Sequence, residues 1–135
     1  MLTDTGPLVA LLDADDKYHV PCRAALAQLP TGPLETTWPC YTEAMYLLGQ
    51  VGGYRFQNRL WETRRAGRLV LLDITPAEAD RMDALMAQYA NVPMDMADAS
   101  LVAVAERFRA PQLFAIDSDF FICRLADGSA LTLVR

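Results

Sequence analysis

The chain has 135 residues, 53% of them hydrophobic, and a formal charge of −5. That suffices for one globular domain over residues 1–135 with a sizeable core, and no apolar run approaches the roughly 18–20 residues that cross a bilayer as a helix. The acidic balance argues at first against a nucleic-acid partner, since such proteins are usually basic.

In chain order, residues 2–4 read as a short buried strand. Thr5-Gly6-Pro7 reads as a turn, with Pro7 suited to the first turn of a helix over residues 8–14. Residues 17–29 form a second helix, closed by Pro30-Thr31-Gly32-Pro33. Residues 34–37 lean to strand. Pro39 starts a helix that runs to about residue 50 and stops at Gly52-Gly53. Residues 54–66 make an amphipathic helix, with Phe56, Leu60 and Trp61 on one face and arginines opposite.

Residues 68–73 are a strand. Thr75 and Glu78 have capping-box spacing and open a helix to about residue 89. A further helix covers residues 98–109, and residues 113–116 and 130–134 are the last strands. Strands alternating with helices predict an α/β domain with a mostly parallel sheet, whose ligands sit at the carboxyl ends of the strands.

Four acids stand where elements begin or end, each among apolar or small residues: Asp4, Glu43, Asp98 and Asp117. A carboxylate in such a setting is costly to bury unless it is paired or bound to metal. Four together would make a hard, oxygen-rich site suited to Mg²⁺ or Mn²⁺, the outline of a metal-dependent phosphodiester nuclease.

The charge distribution fits. Without these four and Asp95, the seventeen acids become twelve, against twelve Lys and Arg. The excess negative charge therefore equals the candidate site. Eleven of those twelve cations are Arg, the better bidentate phosphate ligand.

Each acid also has a structural alternative. Asp4 could simply cap the turn before the helix that starts near Pro7. Glu43 could be a first-turn Glu favoured by the helix dipole. Asp95 is a good N-cap, which would make Asp98 the N3 residue of its helix. Asp117-Ser-Asp119 is also ordinary turn chemistry. Arg55, Arg59, Arg64, Arg65 and Arg68 are either a solvated face or an RNA-contacting patch. His19, the single histidine, leaves no Ser/His/Asp arrangement available. The cysteines Cys22, Cys40 and Cys123 lack metal-ligand spacing and are expected to be reduced core thiols. The N-terminus has no basic n-region of a signal peptide, and a cytoplasmic protein is expected.

Four motifs, in this order and spacing, resemble the PIN domain, and most closely the VapC-type toxins of prokaryotic toxin–antitoxin pairs. They are Leu-Thr-Asp4-Thr5-Gly-Pro-Leu-Val-Ala-Leu-Leu, Thr37-x-Pro39-x-x-x-Glu43, Met-Asp95-Met-Ala-Asp98-Ala-Ser-Leu and Asp117-Ser-Asp119-Phe120. The resemblance covers essentially the whole chain. It implies a three-layer α/β/α sandwich, one or two Mg²⁺ or Mn²⁺ ions, RNA as substrate, and frequent homodimers. It implies Asp4, Glu43, Asp98 and Asp117 as catalytic metal ligands, with Asp95 and Asp119 as possible ones and Thr5 orienting a water or carboxylate. It further implies a small antitoxin partner and products with 5′-phosphate and 3′-hydroxyl ends. The alternatives are an inactive PIN domain that binds RNA or protein and, from another class, a phosphate-transferring α/β enzyme.

Overall fold

The computed structural model describes residues 1–92, 94–109, 112–116 and, for the backbone alone, 132–134. The elements are α1 (Thr5–Leu12), α2 (His19–Gln28), β1 (Leu34–Thr37), α3 (Trp38–Gly52), α4 (Tyr54–Arg65), β2 (Leu69–Leu72), α5 (Pro76–Gln88), α6 (Met96–Arg107), β3 (Gln112–Phe114) and β4 (Thr132–Val134).

β1 pairs with β2 and β3 with β4, both in parallel. The N-terminal pair Leu2 and Thr3 joins the two halves through parallel bridges to Glu35 and Phe114. On one side, Thr3 N–H donates to Glu35 (2.7 Å) and Glu35 N–H to Met1 (2.9 Å). On the other, Phe114 N–H donates to Leu2 and Asp4 N–H to Phe114, both at 2.9 Å. The spatial order is therefore β2, β1, residues 2–3, β3, β4. The chain leaves the centre on one side and returns on the other, so the strand order reverses beside residues 2–3. In an open parallel sheet this reversal opens a crevice at the carboxyl ends of the flanking strands. Asp4 stands there.

Side chains alternate across the sheet as the period of two requires. Leu2, Leu72, Leu113 and Ala115 pack with Met82, Leu85 and the apolar run of α6. On the opposite face, Leu69 and Leu71 pack with residues of α1, α3 and α4, and Phe114 and Ile116 with Ala10, Cys22 and Ala25 of α1 and α2. The result is the expected α/β/α layering. α6 is buried from Ala99 to Ala105, because it lies between the sheet and α5. α5 is fastened over it by a bidentate Arg81–Glu106 pair (2.9–3.3 Å) and by Arg107–Glu78 (3.1 Å).

Most boundaries fall within two residues of expectation, and the Thr75/Glu78 capping box forms as read. Gly53 takes φ +64°, which lets one residue end α3 and cap α4. Two expectations are corrected. Thr5-Gly6-Pro7 is not a turn: α1 begins at Thr5, capped by Asp4. Gly6 and Pro7 fall in the first turn, where a missing proline N–H leaves nothing unpaired. The last helix begins at Met96, not at residue 98, with Asp95 as its N-cap.

Candidate functional site

Asp4 is delivered by the central strand segment and is 7% exposed. Its Oδ1 accepts from the Thr5 N–H at 2.7 Å, so the carboxylate is held against the start of α1. Thr5 in turn donates its hydroxyl to Glu43 Oε2 at 3.2 Å, and its Oγ1 lies 3.4 Å from the Cys40 carbonyl. One residue thus links Asp4 to Glu43.

Glu43 reaches that position because β1 runs directly into α3. Thr37 is the N-cap: its Oγ1 accepts from Cys40 N–H at 3.4 Å, and Pro39 occupies the first turn. Glu43 is then half-buried on the next turn, facing α1.

Asp98 comes from α6. It and Asp95 form a reciprocal box: Asp98 N–H donates to Asp95 Oδ1 (2.8 Å), and Asp95 N–H to Asp98 Oδ2 (3.2 Å). The structural alternative for Asp95 therefore holds, and Asp98 is the N3 residue.

The N-termini of α3 and α6 are bolted together behind these acids. Ser100 donates to the Ala97 carbonyl at 2.6 Å, so its oxygen accepts from the Thr37 hydroxyl, also at 2.6 Å. Both side chains are wholly buried. The Cys40 thiol fills the remaining gap, 3.6 Å from the Ala97 carbonyl and 3.9 Å from Asp4 Oδ1. The motifs did not single out Cys40 or Ser100. The available signal was a serine inside the apolar run of α6, since a buried hydroxyl must find a partner.

The electrostatics show that the acids sense one another. Burial raises the Asp98 carboxyl to about 7, helped by the charges of Asp95 and then Asp4, while the Asp95 backbone N–H opposes the shift. Burial and then the Asp95 charge raise Glu43, against the Thr5 hydrogen bond. Burial, with Asp4 beside it, pushes the Cys40 thiol up to about 12, so it stays protonated as a core thiol. Asp95 raises both Glu43 and Asp98, so it lies within reach of both.

The structure thus brings together Asp4, Thr5, Glu43, Asp95 and Asp98. Among the described residues no three His, Cys, Asp or Glu stand close enough to hold one ion. Asp117 and Asp119 lie outside the described residues. The donor set suits a divalent cation: it is all oxygen, anionic and partly desolvated, and its members raise one another's proton affinity.

The arginines stand apart, on α4 and just after it. Arg59 donates to the Leu12 carbonyl (3.3 Å) and lies 4.1 Å over the Phe56 ring. Arg65 bonds Asn58 at 3.3 Å. Arg55, Arg64, Arg65 and Arg68 are exposed. His19 Nδ1 is 2.6 Å from the Ala10 carbonyl, so that nitrogen carries the proton and the ring ties α2 to α1. Asp13 and Asp16 accept from the N–H groups of Asp15 and Tyr18, shaping the turn between those helices. No described helix is long and apolar enough to cross a membrane.

The sequence pattern of the PIN domain matches residues 1–126. No curated protein gives a significant sequence match. Among solved structures, the Mycobacterium tuberculosis toxin VapC20, described as cleaving the sarcin–ricin loop, superposes with a TM-score of 0.80 at 19% identity, covering 87% of this chain and 90% of that one. A toxin–antitoxin complex from Klebsiella pneumoniae matches with 0.64 at 24%, covering 88% of each chain. VapBC2 of Rickettsia felis, bound to a DNA fragment from its promoter, matches with 0.65 at 13%, covering 98% and 95%. At these identities the likeness is one of fold.

Proposed function

The chain belongs to the PIN domain family, and from that premise we propose that it is a metal-dependent endoribonuclease, the toxin of a toxin–antitoxin pair. The observation that carries this reading is the group Asp4, Glu43 and Asp98. Three separate elements deliver these acids to the carboxyl edge of the sheet, where burial and then neighbouring like charges raise the proton affinity of Glu43 and Asp98. Such an arrangement weakens the metal-free protein and favours a bound cation.

Asp4, Glu43, Asp98 and Asp117 would hold one or two Mg²⁺ or Mn²⁺ ions. Such an ion lowers the pKa of a bound water and offsets the charge of the phosphate under attack. The chain's own residues then have distinct tasks. Thr5 holds the Glu43 carboxylate in the orientation seen here. Asp95 fixes Asp98 at the start of α6. Asp98 must give up its proton to become a ligand, so cation binding weakens as pH falls below about 7. Hydrolysis by this route does not use the ribose 2′-hydroxyl as nucleophile and leaves 5′-phosphate and 3′-hydroxyl ends. Asp119 and the exposed Arg55, Arg64, Arg65 and Arg68 remain candidates for contact with metal or RNA respectively. Arg59 is already committed to Leu12.

The partners we propose are a small antitoxin and a second copy of the chain. Structural neighbours described as toxin–antitoxin assemblies support the antitoxin. VapC20 is described as cleaving the sarcin–ricin loop, which makes ribosomal RNA the first substrate to try.

The test is cleavage of labelled total RNA by the purified protein with Mn²⁺, alongside EDTA and an Asp98→Asn variant. Discrete fragments from the wild type, lost in both controls, support the nuclease. Absence of both cleavage and calorimetric Mn²⁺ binding refutes it and leaves a binding module. A phosphorylated Asp after treatment with a phosphodonor would favour a phosphate-transferring enzyme instead.

A further inference from the structure

Along α3, residues three, four and seven apart share a face. Glu43 faces Thr5, so the same side of the helix carries Tyr46, Leu47 and Gln50. The opposite side, with Tyr41, Ala44 and Leu48, is buried in the core. Tyr46 lies about 4.5 Å along the helix axis from Glu43, at 1.5 Å per residue. It is 64% exposed, although burying an aromatic ring is ordinarily favourable.

The ring is also held in place. Gln50 Nε2, one turn further on, donates to the Tyr46 hydroxyl at 3.0 Å. That oxygen accepts, so its own proton remains to be donated, and among the described residues it has no acceptor. The other exposed aromatics are placed differently. Trp38 donates its Nε1 to Asp73 at 3.2 Å and meets Tyr41 edge to face. Tyr18 and Phe108 lie beneath Lys17 and Arg107. Tyr54 lies beyond the Gly53 turn, on α4. Of these rings, Tyr46 alone shares a helix face with a carboxylate of the site.

We propose that Tyr46 is a stacking platform for a base of single-stranded RNA, next to the phosphate presented to Glu43, with its hydroxyl donating to that nucleotide. This rests on the ribonuclease reading and adds how the substrate is gripped. An aromatic face accepts any base, so the platform positions the strand without specifying sequence. A stack formed equally in the bound substrate and the transition state changes KM and leaves kcat in place.

The experiment compares wild type with Tyr46→Ala, Tyr46→Phe and Tyr46→Trp, using a labelled random-sequence RNA dodecamer and Mn²⁺. Removing one base–aromatic stack is expected to raise KM in Tyr46→Ala by about 5- to 150-fold, with kcat within about twofold. Tyr46→Phe is expected to retain most of the affinity. With Ca²⁺ in place of Mn²⁺, and read before any cleavage, the same dodecamer is expected to quench Tyr46→Trp fluorescence beyond any change from Trp38 and Trp61 in the wild type. Unchanged KM in Tyr46→Ala, or no added quenching in Tyr46→Trp while the wild type still cleaves, overturns the platform and spares the nuclease. Quenching, with neither cleavage of total RNA nor calorimetric Mn²⁺ binding by the wild type, keeps the platform and removes the nuclease. A Tyr46→Ala variant that changes its elution volume while its kinetics stay the same assigns the ring to an interface between copies and overturns the proposal.

Discussion

Replacing Asp98 by Asn in metal-free protein should raise the melting temperature, because the substitution removes a charge that the fold disfavours. The Asp98 carboxyl moves from 3.8 to about 7 on folding, roughly three units, and at about 1.4 kcal/mol per unit the ceiling is about 4 kcal/mol. The group is partly exposed, so solvent screening cuts this to about 1–2 kcal/mol. A negative charge at the start of α6 also gains a few tenths of a kcal/mol from the helix dipole, which Asn gives up. Asn keeps a side-chain oxygen for the Asp95 N–H, so the reciprocal box survives.

The net gain of about 1 kcal/mol corresponds to about 3–5 °C for a chain of this size. The pH dependence follows from the sign. The folded pKa exceeds the unfolded one, so the stability that the protonated group contributes is complete below about pH 4 and is lost as pH rises through about 7. The gap between variant and wild type should be near zero at about pH 3.5, open with rising pH, and level off at about pH 8. Circular-dichroism melts in EDTA across that range measure it, and Mn²⁺ should restore the wild type more than the variant. A fall of several degrees at about pH 8 would mean that the carboxylate works as a stabilising cap. A gap that does not change with pH would remove charge as the cause. Either result refutes the reasoning.

Thr5→Val removes the hydroxyl that holds Glu43 and lowers its pKa. The acid limb of the pH–rate profile should therefore move to higher pH, with the largest loss of kcat on the acid side; an unmoved limb would show that Glu43 does not set it. Ser100→Ala leaves the wholly buried Thr37 hydroxyl without its acceptor and should cost about 1–3 kcal/mol in urea unfolding. Thr37→Val also gives up the N-cap of α3, so the double variant should lose less than the sum of the two single losses, and strict additivity would show that the two hydroxyls are not coupled.

Where a signal was local, it was legible. The strand at residues 34–37, the Thr75/Glu78 box and the Gly53 stop each depend on residues a few positions apart, and each forms where read. The first helix shows the limit of local reading. Thr5-Gly6-Pro7 reads as a turn with the helix after it, yet the Asp4 carboxylate caps a helix that runs through all three. Asp95 and Asp98 were each open to two readings, and the start at Met96 shows that one box joins them.

The sequence by itself determined the alternation of strands and helices and offered Asp4, Glu43, Asp98 and Asp117 as candidates, because propensity, capping and misplaced charge are written residue by residue. Which acids meet was decided only by tertiary structure. Asp4 and Glu43 come together through Thr5, and α3 and α6 through Thr37 and Ser100, which are 63 residues apart. The sheet order around residues 2–3 creates those neighbours. That order depends on long-range pairing and on burial of both sheet faces, a property of the whole packed chain that no short window of residues contains.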